Sequence, residues 1–462
     1  MNPPATRQLA DFITSVNYAT LPVEVVNAAV LAFIDWAGCA AAGCRTPVGA
    51  AAAKVARAEH ASADATLFAD GSCTSAHWAA FANGAGSHSI ELDDVHMPSI
   101  IHGGVSMIPA ALAVAQKLRV DGKRLIEALV AGFDITYRLG EGIAKSHYER
   151  YHSTGTVGTF GAAAAAARLM GLNAEQTCWA LGNAGSQAAG LWQYLKVGDD
   201  TKVLHPAKAS MNGVLAASLA AHGFTGSVDI IEGERGFVAT MADNVDWDAI
   251  VGGLGRRYKV TENGYKIHAC CRHSHVSVDQ TIRLSEEHAL TADQVKRICV
   301  KLNANSVKTL DDPDPPSPYK AKFSIQFLVA SALIHRRMGL AAFTDARLKD
   351  ATIRSLMQRV EVAEDPQFTR DFPRQWTAEV AIETTDGRNL AGRADMPEGD
   401  PCNPVSQRRL EDKCKGLLAQ VMNDASAEQL VRRLAMLPEV ADVREMFPEI
   451  SASGASLRAA AA

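Results

Sequence analysis

Between Gly84 and Gly104 the chain reads GAGSHSIELDDVHMPSIIHGG, placing His88, Glu91, Asp93, Asp94, His96 and His102 within fifteen residues. The runs on either side, Ala79 to Ala85 and Ile108 to Ala115, are small or apolar. Carboxyl and imidazole groups carried into a buried setting have their pKa values moved, which is how side chains become acids or bases near neutral pH. Asp93, Asp94, His96 and His102 also have the donor chemistry to hold a divalent ion. A plain polar loop between two core helices would look the same, so the other polar stretches have to decide.

There are three more. His147 to Gly161, HYERYHSTGTVGTFG, spaces Gly155, Gly158 and Gly161 as G-x-x-G-x-x-G. That is not the dinucleotide fingerprint, and no strand precedes it, which argues against a nicotinamide cofactor. Ser153, Thr154 and Thr156 stand where a helix begins, so they either cap it or help its free N–H groups attract a carboxylate. In Lys196 to Lys208, KVGDDTKVLHPAK, Lys202 lies between two aspartates and His205 and reads either as a solvated lysine or as a functional one. In Tyr265 to His275, YKIHACCRHSH, Lys266 has less polar neighbours, and such a lysine can bind a carboxylate or lose its proton. His268, Cys270, Cys271, His273 and His275 are the densest potential metal ligands. On an extended strand, however, neighbouring ligands point to opposite faces, and no second ligand pair follows at zinc spacing. Four polar stretches in an apolar chain point to one converging site.

The elements that must position them are mostly helices. Residues 6–20 carry Leu9, Phe12, Ile13 and Val16 at helical spacing. Val23 to Ala42 is apolar nearly all round and, although Asp35 interrupts it, reads as a helix deep in a core rather than a membrane span. Helices are further expected over 49–59, 75–84, 106–118, 123–143, 162–170, 174–195 and 209–222, with Ala-rich stretches that permit close packing. After about residue 260 the pattern changes. Val295 to Ser306 and Thr377 to Thr384 read as strands, the latter turning at Asp386-Gly387 into a hairpin with Arg388 to Ala394. Phe323 to Met338 reads as a helix, Pro397 to Pro404 as a boundary, and Val405 to Leu437 as returning helix. The tail, Ser451 to Ala462, reads as frayed. The expected fold is mainly α: a large all-helical domain, residues 1–265 completed by 401–462, with a smaller α+β lid domain inserted at 266–400. A cleft between two such bodies is a preferred place for a ligand.

With 462 residues, two domains are the natural expectation. A net charge of −5 offers no case for nucleic acid or an anionic membrane as partner. Nine scattered cysteines do not form a disulfide framework and fit a reducing cytoplasm. The N-terminus has no charged segment followed by an apolar run, so no signal peptide is expected.

The order of the motifs GSHSIELDDVHMPSIIHGG, HSTGTVGTFGAAAAAARLMGL, GDDTKVLHPAKAS, GYKIHACCRHSH, AKFSIQFLVASAL and PEGDPCNP resembles the MmgE/PrpD family over most of the chain. That family includes 2-methylcitrate dehydratase, cis-aconitate decarboxylase and iminodisuccinate epimerase. The resemblance implies a homodimer acting on a small carboxylic acid without metal or organic cofactor. Its polar site positions fall on Asp93, His102, His152, Lys202 and Lys266, with Ser153, Thr154, Arg272 and His275 as substrate-binding neighbours. Ile267, His268 and Ala269 stand where many relatives have an aromatic residue and a proline, and Gly103 where many have proline; these departures bear on the substrate more than on the reaction type. The shared chemistry is loss of a proton or of carbon dioxide next to a carboxylate. Lys202, Lys266 and the helix start near Thr154 would hold carboxylates and stabilise developing charge. His102 or His152 would move the proton, with Asp93 orienting a histidine or acting as base. The leading expectation is a lyase, dehydratase or decarboxylase, on a di- or tricarboxylic acid. An epimerase using the same site comes next, then a metal-dependent hydratase or hydrolase built on Asp93, Asp94, His96 and His102, or a non-catalytic carboxylate-binding protein.

Overall fold

The computed structural model describes residues 2–196 and 198–453, apart from the side chains of residues 144 and 145. Residues 454–462, most of the expected frayed tail, lie outside the described residues. The fold is mainly α, and the chain forms two compact units, Met1–Asn263 with Ser406–Ala462, and Gly264–Val405.

The larger unit is built around the helix Ser153–Met170, whose Ala162 to Ala167 are all fully buried. Helices Thr201–Ala221, Gly122–Tyr148 and Gly104–Leu118 pack on it. Small residues make this possible: a Cβ on Gly213 would lie 2.4 Å from Ala162 Cβ, and one on Gly161 only 1.8 Å from Thr136 Oγ1. Close helix approach of this kind gives an interior of crystal-like density. The helix Val23–Gly43 is long and apolar enough to cross a membrane, yet 83% of its most apolar window is buried in the protein. The C-terminal helix Gln407–Leu418 packs against it.

The smaller unit holds a four-stranded sheet. Val295–Leu302 runs parallel to Val360–Glu364 and antiparallel to Ala378–Thr384, which pairs in turn with Asn389–Ala394. Alternate residues of Ala378–Thr384 are buried, the period expected of a sheet with one covered face. Helices His275–Glu287 and Ile325–His335 belong to the same unit.

Several element boundaries differ from the sequence reading. The helix expected over 174–195 ends at Gly185, where Gly182 and Gly185 weaken its last turn, and a separate short turn spans Trp192–Lys196. The polar stretch after Lys196 is helical from Thr201, with Pro206 inside the helix, so Lys202 and His205 share one helical face. The strand from Val295 ends at Leu302, because the Asn303 side chain accepts from Ser306 N–H and caps the helix Ala304–Leu310. Helix 405–437 is two helices, Gln407–Leu418 and Asp424–Ala435, the second capped by Asn423. The stretch before His275 is no strand: Arg272–Ser274 is a tight turn leading into helix.

Candidate active site

Asp93 lies just beyond the helix Ala76–His88 and is buried. One of its oxygens, Oδ2, faces two imidazoles at once: His88 Nδ1 and His102 Nδ1 are each 2.9 Å away. His102 Nδ1 is also 2.6 Å from the Asp94 carbonyl oxygen. A carbonyl oxygen only accepts, so the ring carries a proton on Nδ1, and Nε2 is the nitrogen that can gain or lose one. Burial would raise the Asp93 carboxyl, but the charges and hydrogen bonds of His88 and His102 hold it well below the usual range. The result is an ionised carboxylate aimed at two rings.

Neighbouring contacts fix this arrangement. Both Asp94 oxygens accept from Gly104 N–H, at 3.0 and 3.1 Å, capping the helix Gly104–Leu118. Burial, then the charges of Asp93 and Asp35, push the Asp94 carboxyl up to about 8. Thr154 Oγ1 accepts from the backbone N–H of His102 at 3.2 Å. Lys413 Nζ donates to Asp35 Oδ1 and to the Leu92 carbonyl, both at 2.6 Å, so the C-terminal helix pins the residue before Asp93. The Asp35 that interrupts the apolar helix Val23–Gly43 is thus the partner of a buried lysine.

Two further histidines adjoin the pair. The His152 ring is 6.2 Å from that of His88 and nearly parallel to it, and His152 Nδ1 is 2.8 Å from His205 Nδ1. Trp192 and Tyr194 flank His152 with ring centroids at 5.0 and 5.8 Å. Burial, followed by the charges of His205, His88, Lys202 and His102, holds His152 well below the usual imidazole value. Burial and then Lys208 lower His205 to about 4. The Lys202 ammonium pairs with the buried Glu91 carboxylate, and Glu91 itself adopts a positive φ of 58°. Ser153 and Thr154 are buried in the first turn of the helix that follows His152.

Asp93, His102, His152, Lys202, Ser153 and Thr154 therefore all lie within the larger unit; hydrogen bonds join Asp93, His102 and Thr154, and the charges of His88, Lys202 and His102 bear on His152. His88, His205 and Glu91 join them. The sequence flagged these three as polar neighbours without giving them roles, and their signal was the polar stretches themselves.

The four-residue ion site considered from sequence does not converge. His96 turns to Ser99 Oγ at 2.8 Å and Glu141 Oε1 at 3.3 Å, and its ring stacks on Tyr137. Lys259 Nζ sits 2.7 Å from both Glu141 and Glu262, supplying the cation that this acidic pair requires. His88, Asp93 and His102 do bring three donor atoms together. His102 Nδ1, the nitrogen beside Asp93, already donates to the Asp94 carbonyl, so that atom offers no lone pair there.

In the smaller unit, Lys266 is buried and its charge bears on His273 and His275. His268 Nε2 bonds Asp279 at 2.7 Å, His273 Nδ1 bonds Ser306 Oγ at 2.7 Å, and His275 lies between Arg272 and the Cys270 carbonyl. These rings serve separate partners and make no shared ligand set.

Residues 7–250 match the MmgE/PrpD N-terminal domain, and residues 268–436 match the MmgE/PrpD C-terminal domain. A cis-aconitate decarboxylase-like protein of Aspergillus oryzae is 25% identical, over 96% of this chain and 97% of its own. Human cis-aconitate decarboxylase is 26% identical, over 79% of this chain and 77% of its own. The 2-methylcitrate dehydratase of Escherichia coli is 26% identical over 123 residues, 25% of this chain and 26% of its own.

Proposed function

Because this chain belongs to the MmgE/PrpD family, we propose that it is a lyase of small di- and tricarboxylic acids. Loss of carbon dioxide from an unsaturated tricarboxylate is the first candidate reaction, and loss of water from a hydroxy-tricarboxylate the second. The ranking follows coverage: the decarboxylase relatives align over most of their length, the dehydratase over a quarter.

The observation that carries the reading is the single Asp93 oxygen 2.9 Å from both His88 Nδ1 and His102 Nδ1. Either reaction passes through negative charge on carbon next to a carboxylate. His102 Nε2 delivers a proton to that carbon after carbon dioxide leaves, or takes one from it before hydroxide leaves. Asp93 stabilises the imidazolium in between. His152 is held neutral and acts as a hydrogen-bonding neighbour rather than as a resting-state acid. Lys202, shared with Glu91, and the helix start at Thr154 favour the substrate's anionic groups. Lys266 is assigned a second carboxylate on the family resemblance. No step calls for a metal or an organic cofactor.

The test is turnover of cis-aconitate and 2-methylcitrate in deuterated water, followed by NMR. Carbon dioxide release with one deuteron on carbon identifies the decarboxylase, and a new double bond identifies the dehydratase. Exchange without either outcome moves the reading to an epimerase. No reaction with these or related unsaturated, hydroxy- and amino-carboxylates overturns it. His102→Asn should cost roughly 10²- to 10⁴-fold in kcat with the fold intact.

A further inference from the structure

The loop that carries His102 is seated on one face of the helix Gly122–Tyr148. Tyr137, Gly140 and Glu141 lie three and four residues apart on that helix and so share a face. The His96 ring stacks on Tyr137, with centroids 4.0 Å apart and planes within 9°. Glu141 Oε1 is 3.3 Å from His96 Nε2. A Cβ on Gly140 would lie 2.4 Å from Ile101 Cδ1 and 2.7 Å from Ser99 Cβ, so the loop rests on the helix backbone there.

Tyr137 is fully buried, and its Oη lies 2.5 Å from Asn263 Oδ1 and 3.4 Å from Asp94 Oδ2. Asp94 is the residue whose carbonyl accepts from His102 Nδ1 and whose carboxyl caps the helix starting at Gly104. The same tyrosine ring lies against the residue after His102. A Cβ on Gly103 would be 2.6 Å from Tyr137 Oη, 2.7 Å from Cε1 and 2.8 Å from Cζ. Gly103 has φ −71°, which any residue adopts, so glycine is needed there for space and not for backbone conformation. The proline that the family resemblance leads one to expect at 103 has the right φ, but its Cβ would strike the ring. Tyr137 therefore touches both the residue that fixes the His102 ring and the residue that follows it, and all of these groups belong to the larger unit.

We propose that Tyr137 and Gly103 are a coupled pair that positions His102. The tyrosine fills the space a side chain at 103 would take, and it holds Asp94 and the backbone beyond His102 at a fixed distance. Being fully buried, Tyr137 acts through His102 and is a positioning residue. The inference rests on the lyase reading for the role of His102 and adds the part of the chain that aims it.

The test begins with Tyr137→Phe, which keeps the ring against His96 and Gly103 and removes the hydroxyl. In protein labelled with carbon-13 histidine, the His102 Cε1–Hε1 signal, identified by its loss in His102→Asn, should shift, while those of the exposed His222 and His288 stay in place. Turnover should show kcat lowered about 10-fold with KM changed little. An unmoved His102 signal or an unchanged kcat, in Tyr137→Phe that circular dichroism shows to be folded, overturns the positioning role. The coupling is tested by stability and does not need Tyr137→Phe to fold. Gly103→Ala should lower the urea midpoint in the wild-type background and lower it less beside Tyr137→Leu, which lacks Oη, Cε1 and Cζ. A Gly103→Ala change that costs as much in both backgrounds, or nothing in either, overturns the pair. If the wild-type protein converts no acid, the lyase reading fails while the His102 signal and the stability comparison still decide the pair. If acids are converted and Tyr137→Phe is as fast as wild type, the pair's role fails alone.

Discussion

His152 Nδ1 and His205 Nδ1 face each other at 2.8 Å. Two N–H groups cannot point at each other at that distance, and two lone pairs would repel, so the rings hold one proton between them. Burial lowers both imidazoles and keeps the pair neutral. His205→Phe keeps the ring volume but cannot share the proton, leaving His152 without a fixed orientation. It should lower kcat by about 10²-fold with KM changed little, and His205→Asn should recover part of the loss. Steady-state kinetics of the two variants decide this.

Asp94 gives a pH signature. Its carboxyl is raised from 3.8 to about 8 in the folded protein, first by burial and then by Asp93 and Asp35. Between these values the folded protein keeps a proton that the unfolded chain has released. The stability tied to Asp94 is therefore full below about pH 4 and is lost as pH rises through about 8. Asp94→Asn keeps an acceptor for Gly104 N–H and removes the titration. Its urea midpoint should rise relative to wild type as pH goes from 4 to 8; a constant difference across that range would contradict the burial argument.

Lys202 and Glu91 form an ion pair with Glu91 buried. Lys202→Met leaves that carboxylate uncompensated and should cost about 3 kcal/mol. Glu91→Gln with Lys202→Met should recover most of it, because neither charge then remains. The double variant should still bind substrate weakly, since the ammonium is gone. Urea unfolding and KM measured together separate the two effects.

Lys413 is the most remote support of the site. Lys413→Met strands the buried Asp35 and should cost about 3–5 kcal/mol. Asp35→Leu with Lys413→Met should restore stability but not turnover, because the Leu92 carbonyl beside Asp93 has lost its donor. A shift of about 1 Å in Asp93 suffices for a loss of about 10²-fold in kcat. Wild-type kcat in the stable double variant would remove the positioning role.

Much of this was legible along the chain. The burial of Val23–Gly43 followed from its apolar circumference, and the alternation in Ala378–Thr384 from period two. The stretch from His88 to His102 announced itself by polarity in an apolar neighbourhood. The role of Lys413 was not legible, because its partner Asp35 is 378 residues away. Nor was the status of Lys202, which looks like a solvated lysine in DDTK until Glu91, 111 residues earlier, is found against it.

The sequence by itself determined the mainly helical fold, the dense small-residue packing and the motif order that marks the family, because helix periodicity, side-chain size and composition act over a few neighbouring residues. Only the tertiary structure decided which oxygen of Asp93 meets which ring nitrogens, and that His152 shares its proton with His205. Hydrogen bonds and charges depend on distances of a few ångströms between groups far apart in the chain, and no residue spacing encodes those distances.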